Sequence, residues 1–226
     1  MQGLRTLSVF ATLLACAASA QADDLYSGSS TFLDLGGYST PFRYPDGDRK
    51  ADVGRYGVAF SYQWADDFSL ELHGGYLTLD VDGEPQPVHQ SSSGRYLGAM
   101  ARYEGTEQDY LNFSAELSYT WQDVDSDGFQ GAQLIQPSEF TWYETWAAAG
   151  PVLRLDIWRL SLGAYYQGFT GTETDSAPSR VLDFRAGRHL GAYLGVALYI
   201  EPNYSVGLMG TAGARDGVRL IFRRDF

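Results

Sequence analysis

The sequence predicts an all-β fold: an antiparallel transmembrane β-barrel of about 10 strands, with 8 as the alternative, behind a cleaved signal peptide. Three observations predict it. Segments that alternate apolar with small or polar residues recur along the chain. Beyond the N-terminal leader, no apolar run reaches the roughly 20 residues that a membrane-spanning helix needs. Aromatic residues are plentiful, with 16 Tyr, 12 Phe and 5 Trp beside 26 Gly, and they gather toward segment ends.

The leader comes first. Arg5 supplies a positive start, Leu7 to Cys16 is almost wholly apolar, and Ala18-Ser19-Ala20-Gln21-Ala22 offers small-residue cleavage sites. Cleavage after Ala22 is preferred to cleavage after Ala20. The chain then divides into a signal peptide, residues 1–22, and a single barrel domain, residues 23–226. Leu13-Leu14-Ala15-Cys16 also spells a lipobox, which would leave an acylated Cys16 as the mature N-terminus; a closed barrel needs no such anchor. Cys16 is the single cysteine, so a chain cleaved after Ala22 has neither disulfide nor thiolate chemistry. Loss of Arg5 with the leader takes the formal charge from −12 to −13. That acidity excludes a nucleic-acid partner, which requires a basic stripe.

Strands are expected at 25–38, 54–64, 68–80, 94–104, 110–124, 140–155, 159–171, 189–200, 204–213 and 217–226. In the second, Tyr56, Val58, Phe60, Tyr62 and Trp64 alternate with Arg55, Gly57, Ala59, Ser61 and Gln63. In the fifth, Leu111, Phe113, Leu117, Tyr119 and Trp121 alternate with Asn112, Ser114, Glu116, Ser118, Thr120 and Gln122. Successive strand side chains point to opposite faces, so each segment has one apolar and one polar face. In a membrane barrel the apolar face meets lipid and the polar face lines the interior. Long connections at 39–53, 81–93, 125–139 and 172–188 alternate with tight ones at 65–67, 105–109, 156–158 and 201–203. Two aromatic girdles are expected, Trp64, Tyr103, Tyr110, Trp158 and Tyr204 at one end and Tyr56, Tyr119, Trp121, Trp142 and Tyr143 at the other. Pro151, after Ala147-Ala148-Ala149-Gly150, predicts a bulge or strand end, because proline cannot donate to the ladder.

The inner faces carry Glu71, Arg102, Glu116, Glu144, Arg154, Arg219 and Arg223. Barrels of this size are filled largely by side chains, and paired opposite charges there form an electrostatic plug. A narrow channel through the charged lumen is the alternative. Asp123, Asp125 and Asp127, followed by Gly128, resemble the start of a calcium loop, so a loop-bound divalent cation is the sole cofactor to consider. Leu134 stands where that pattern needs a glutamate, and Asp-Gly turn chemistry accounts for the carboxylates without metal. His73, His89 and His189 form no recognisable catalytic set, and the chain is read as a non-enzyme; a lipid-modifying enzyme is a further alternative.

The final segment alternates Val218, Leu220 and Phe222 with Arg219, Ile221 and Arg223, and stops on Phe226. It resembles the closing strand of small Gram-negative outer-membrane barrels, the OmpA- and OmpX-like superfamily in the broad sense. A fainter likeness is to the BcsS type, through the leader, the Tyr- and Gly-rich alternating body and the terminal Phe. The resemblance implies an outer-membrane location with both termini periplasmic. It implies Val218, Leu220, Phe222 and Phe226 as an insertion signal read by the barrel-assembly machinery, with periplasmic chaperones as earlier partners. Outer-membrane lipids and lipopolysaccharide are the surrounding partners it implies. A structural or surface-interaction role through extracellular loops is the functional expectation.

Overall fold

The computed structural model describes residues 28–226 except 66, 83–91, 106–109, 127–128, 131–132, 135–137 and 177–178. The leader, His89 and Asp127 lie outside the described residues. All regular elements among the described residues are antiparallel strands: β1 (Ser29–Tyr44), β2 (Gly47–Ala65), β3 (Phe68–Val81), β4 (Ser92–Glu104), β5 (Leu111–Ser126), β6 (Phe129–Gln130), β7 (Gln133–Leu134), β8 (Ser138–Leu155), β9 (Trp158–Ser176), β10 (Ser179–Ala186), β11 (Leu190–Glu201), β12 (Tyr204–Ala212) and β13 (Asp216–Asp225). β6 and β7 form a small separate hairpin, and the other 11 strands make one sheet.

That sheet closes twice, with different strand numbers at its two ends. In the half near the tight turns, β1 to β5, β8, β9, β11, β12 and β13 form a ring of 10, sealed where Ser30–Ser39 of β1 pairs with β13. Farther along, β9 exchanges partners: Trp158–Tyr166 pairs with β11, but Thr170–Ser176 pairs with β10. β10 in turn meets β1 at Phe42 and Arg43. The upper ring therefore has 8 strands, and the barrel narrows as it rises. Closure gives every ladder a neighbour, which is what hydrocarbon demands of backbone polar groups.

Several expected boundaries move. The connection expected at 39–53 is mostly strand, because β1 and β2 continue past the membrane band as a hairpin turning at 45–46. The one expected at 172–188 holds the end of β9 and all of β10. β8 passes through Pro151 without a bulge. Ala149 faces Ala164 and Val152 faces Ser161, so no residue is inserted and the pairing to β9 lapses locally.

The alternation holds, and its polarity reverses along the axis. In the lower two thirds Phe60, Leu72, Leu97, Leu117, Leu162, Leu194 and Val218 point outward and are exposed. Inner positions of the same strands are polar: Ser61, Glu71, Ser114, Thr120 and Gln167 are buried. Trp64, Phe68, Tyr110, Trp158 and Tyr204 ring the lower end, and Tyr56, Tyr76, Tyr119, Tyr143 and Tyr166 ring the middle, all exposed. Above that second girdle the outer face carries Arg43, Lys50, Asp52, Arg95, Asp123 and Asp125, while the interior becomes apolar. Trp142, expected in the upper girdle, belongs to this interior and is 1% exposed. Its phase on β8 is the inner one, shared with Phe140, Glu144 and Trp146.

Candidate functional site: a charged lumen under an aromatic cap

The cap is built from inner positions of the upper strands. Phe42 of β1 stacks on Phe184 of β10 at 4.6 Å and packs on Phe169 of β9 at 5.0 Å and Trp142 of β8 at 6.0 Å. Val53, Leu77, Leu79, Val124 and Phe140 fill the rest of the cross-section. The cap is apolar packing across the narrow ring, and toward the top of the barrel Arg49 lies 4.1 Å over the Tyr44 ring and 3.6 Å from Glu173.

Directly beneath lies Glu144. Its carboxylate accepts hydrogen bonds from Tyr38 (3.1 Å), Gln122 (2.9 Å), Gln167 (3.3 Å), Arg215 (3.2 Å) and Arg55. Two guanidiniums on one buried carboxylate, with donors from five strands or turns, tie the walls together. Arg55 lies on the inner face of β2, as its alternation requires. Arg215 arrives differently, from the β12–β13 turn folded inward below β10. Gly213 makes that turn possible at φ +110, where any Cβ would sit 2.8 Å from the backbone of Gly191. Tyr165 holds the turn by donating to the Arg215 carbonyl and accepting from its N–H, both at 2.9 Å. Thr40 donates to the carbonyl of Ala214 at 3.0 Å. The guanidinium then stacks 3.9 Å above Trp146.

Lower in the lumen Arg219 pairs with Asp34 (2.7 Å) and Arg102 with Glu116 (2.9 Å). At the mouth Glu104 receives Arg154 (2.7 Å) and Arg159 (2.8 Å), and Arg223 bonds Asp225 (2.6 Å). Around them a vestibule of about 480 Å³ opens downward, lined by Ser30, Gln63, Arg102, Glu104, Arg159 and Arg223. Between vestibule and cap the free space shrinks to about 80 Å³.

Of the charges expected in the lumen, Glu71, Arg102, Glu116, Glu144, Arg219 and Arg223 occupy inner positions, and Arg154 stands half exposed on the rim. Asp34, Arg55, Glu104, Arg159 and Arg215 complete the pairs and were not singled out in the sequence. Alternation with Leu33 and Leu35 would have found Asp34; no periodicity could have found Arg215, which comes from a turn. Val218, Phe222 and Phe226 are exposed on the outer face, and Leu220 shares it. Asp123 and Asp125 lie on the outer face of β5, where Asp123 accepts from Thr141 (3.2 Å) and meets Arg95 at 3.5 Å.

The histidines separate. His189 faces outward, stacked on Tyr166 at 5.5 Å. His73 is inside, 3.4 Å from Glu71 and 3.0 Å from the Thr120 hydroxyl, over Gly98, whose missing side chain makes the space. Carboxylate, imidazole and hydroxyl in that order have the form of a nucleophile relay. They line the space of about 80 Å³ together with Asp34, Glu116 and Arg219.

No family model matches the chain. No curated protein matches it either. Solved structures similar to it include the translocator domain of the autotransporter NalP from Neisseria meningitidis, at 10% identity, TM-score 0.49 and 98% coverage of both chains. The outer-membrane protein OprG from Pseudomonas aeruginosa is similar at 11% identity and TM-score 0.46, covering 89% of this chain and 97% of its own. The outer-membrane protease OmpT from Escherichia coli is similar at 7% identity and TM-score 0.46, covering 88% and 96%.

Proposed function

We propose that the protein is a plugged, non-conducting barrel of the Gram-negative outer membrane, with periplasmic termini and a protruding upper sheet that acts at the cell surface. The closed cross-section above Glu144 carries this reading: apolar side chains fill the narrow ring of strands, and a five-donor knot lies under them. An ion leaving the vestibule would have to part Arg55 and Arg215 from Glu144 and then cross an apolar layer without water. Both steps are costly in a low-dielectric interior. The outward position of Val218, Phe222 and Phe226 suits a terminal strand that the assembly machinery reads. The cramped surroundings of His73 favour a role without catalysis.

Planar-bilayer recording on the refolded barrel tests the proposal, with heat-modifiable gel mobility establishing the fold. Silence across a range of pH and salt is the expected result. Reproducible ion-selective steps from the folded protein would overturn it.

A further inference from the structure

On the outer face, four side chains fall in one register row across four strands. Tyr143 of β8 faces Thr170 of β9, Thr170 faces Arg185 of β10, and Arg185 faces Arg43 of β1. Neighbouring strands are about 4.8 Å apart, so the row spans roughly 14 Å. Above it runs a second row, Thr141, Thr172 and Asp183, also in direct register. These residues line a groove of about 750 Å³ on the outside of the barrel. Below the row Gly168 leaves a gap; the atoms nearest to a Cβ there would be the ring and hydroxyl of Tyr166, which therefore points up toward the groove.

Two features set this groove apart on the outer wall. On other strands at this level the outward cations are matched: Lys50 holds Asp52 at 3.1 Å and Arg95 meets Asp123 at 3.5 Å. Here two arginines stand directly opposite one another, which is unfavourable without an anion between them. Arg43 has Asp48 at 2.9 Å, and its hydrogen bond holds that carboxyl below the usual range. The Arg185 side chain makes no hydrogen bond or ion pair among the described residues, and Arg188, just below it, adds only a longer-range attraction to Asp48. The second feature is level. The row begins at Tyr143 of the upper girdle, immediately above the lipid-facing Tyr166, Leu162 and Leu190, where headgroups rather than acyl chains touch the wall.

The geometry points to a binding site for the phosphorylated sugar headgroup of an outer-leaflet glycolipid. Arg185 and Arg43 take the phosphate, as guanidiniums bind phosphate in fork geometry. The hydroxyls of Thr170, Thr172 and Thr141 and the carboxylate of Asp183 meet sugar hydroxyls, and the Tyr143 ring, stacked on Tyr119 at 5.8 Å, offers a flat platform. The inference rests on the reading above only in taking the upper end as the outer leaflet.

The test is native mass spectrometry of the detergent-folded barrel titrated with a bisphosphorylated glycolipid, its dephosphorylated form, and phosphatidylglycerol. The bisphosphorylated glycolipid is expected to bind most tightly. The R43A/R185A variant should lose at least about tenfold in that affinity, and R95A, on the opposite wall, should lose nothing. Equal binding by the double variant, or equal binding of phosphatidylglycerol and the glycolipid, overturns the proposal. A Ser93→Cys variant, outward on β4 above the upper girdle and outside the groove, treated with an impermeant thiol reagent on intact cells tests the orientation separately. Labelling is the expected result. Protection from the reagent, in a variant that still binds the glycolipid, would overturn the orientation while leaving the site standing.

Discussion

At the scale of single residues Glu144 carries the most consequence. It is buried, and five donors lose a bond if the carboxylate goes, Arg55 alone keeping a second side-chain acceptor in Gln122. Glu144→Ala leaves Arg55 and Arg215 as uncompensated charges in the lumen, a change that typically costs about 3–5 kcal/mol. Arg154→Ala, at the half-exposed rim, should cost within about 1 kcal/mol because water and Arg159 cover its loss. Urea unfolding of the refolded variants, followed by tryptophan fluorescence, separates the two; equal midpoints would remove Glu144 from its central place. E144A combined with R55A should cost clearly less than the two single changes together, because the second removal takes away a charge the first had stranded. The sequence made Glu144 legible as an inner charge through alternation with Tyr143 and Thr145. Its partners were only half legible. Arg55 sits on a strand and obeys the period of two, whereas Arg215 reaches the lumen through a turn held by Tyr165 and Thr40, contacts between residues far apart in the chain.

At the scale of elements β10 decides whether the barrel is shut. It lies in a stretch that reads as a connection, since Ser-Arg-Val-Leu-Asp-Phe-Arg-Ala is short and flanked by Ser, Pro and Gly. Its pairing depends on β9 and β1 offering free edges above β11 and β13, which local sequence does not disclose. The same cause hid the extensions of β1 and β2: above the girdle the apolar phase moves from the outer face to the inner one. Val53 and Leu79 then look like breaks in a lipid-facing pattern. Phe184 fastens β10 to the cap through Phe42. Truncating either ring should cost about 3–5 kcal/mol through the cavity left behind. F42A/F184A together should let water into the narrow ring and give measurable conductance where the parent is silent. E144A alone should stay silent, because the apolar layer above it is intact. Conductance in E144A with none in F42A/F184A would place the seal at the charged knot instead.

At the scale of the whole molecule the polarity reversal fixes where the membrane ends. Below the upper girdle the outer wall is leucine-rich and the lumen charged; above it the outer wall is charged and the interior apolar, like the core of a water-soluble barrel. β4 crosses the boundary within one short stretch. Leu97 and Ser93 both point outward, four residues apart, and only Leu97 lies in the lipid band. An arginine in that band near the bilayer midplane costs about 2–4 kcal/mol, falling to about 0–1 kcal/mol at the interface. Leu72→Arg, midway on β3 between the girdle residues Phe68 and Tyr76, should therefore lower the stability of the barrel folded in lipid vesicles by an amount in the upper range, and Ser93→Arg should leave it nearly unchanged. In detergent-free water the contrast has no physical basis, so its appearance depends on the bilayer. Equal penalties at the two positions would mean that the band extends past the girdle. The groove at Tyr143, Thr170, Arg185 and Arg43 would then face acyl chains, where two arginines directly opposite one another could not be stably held.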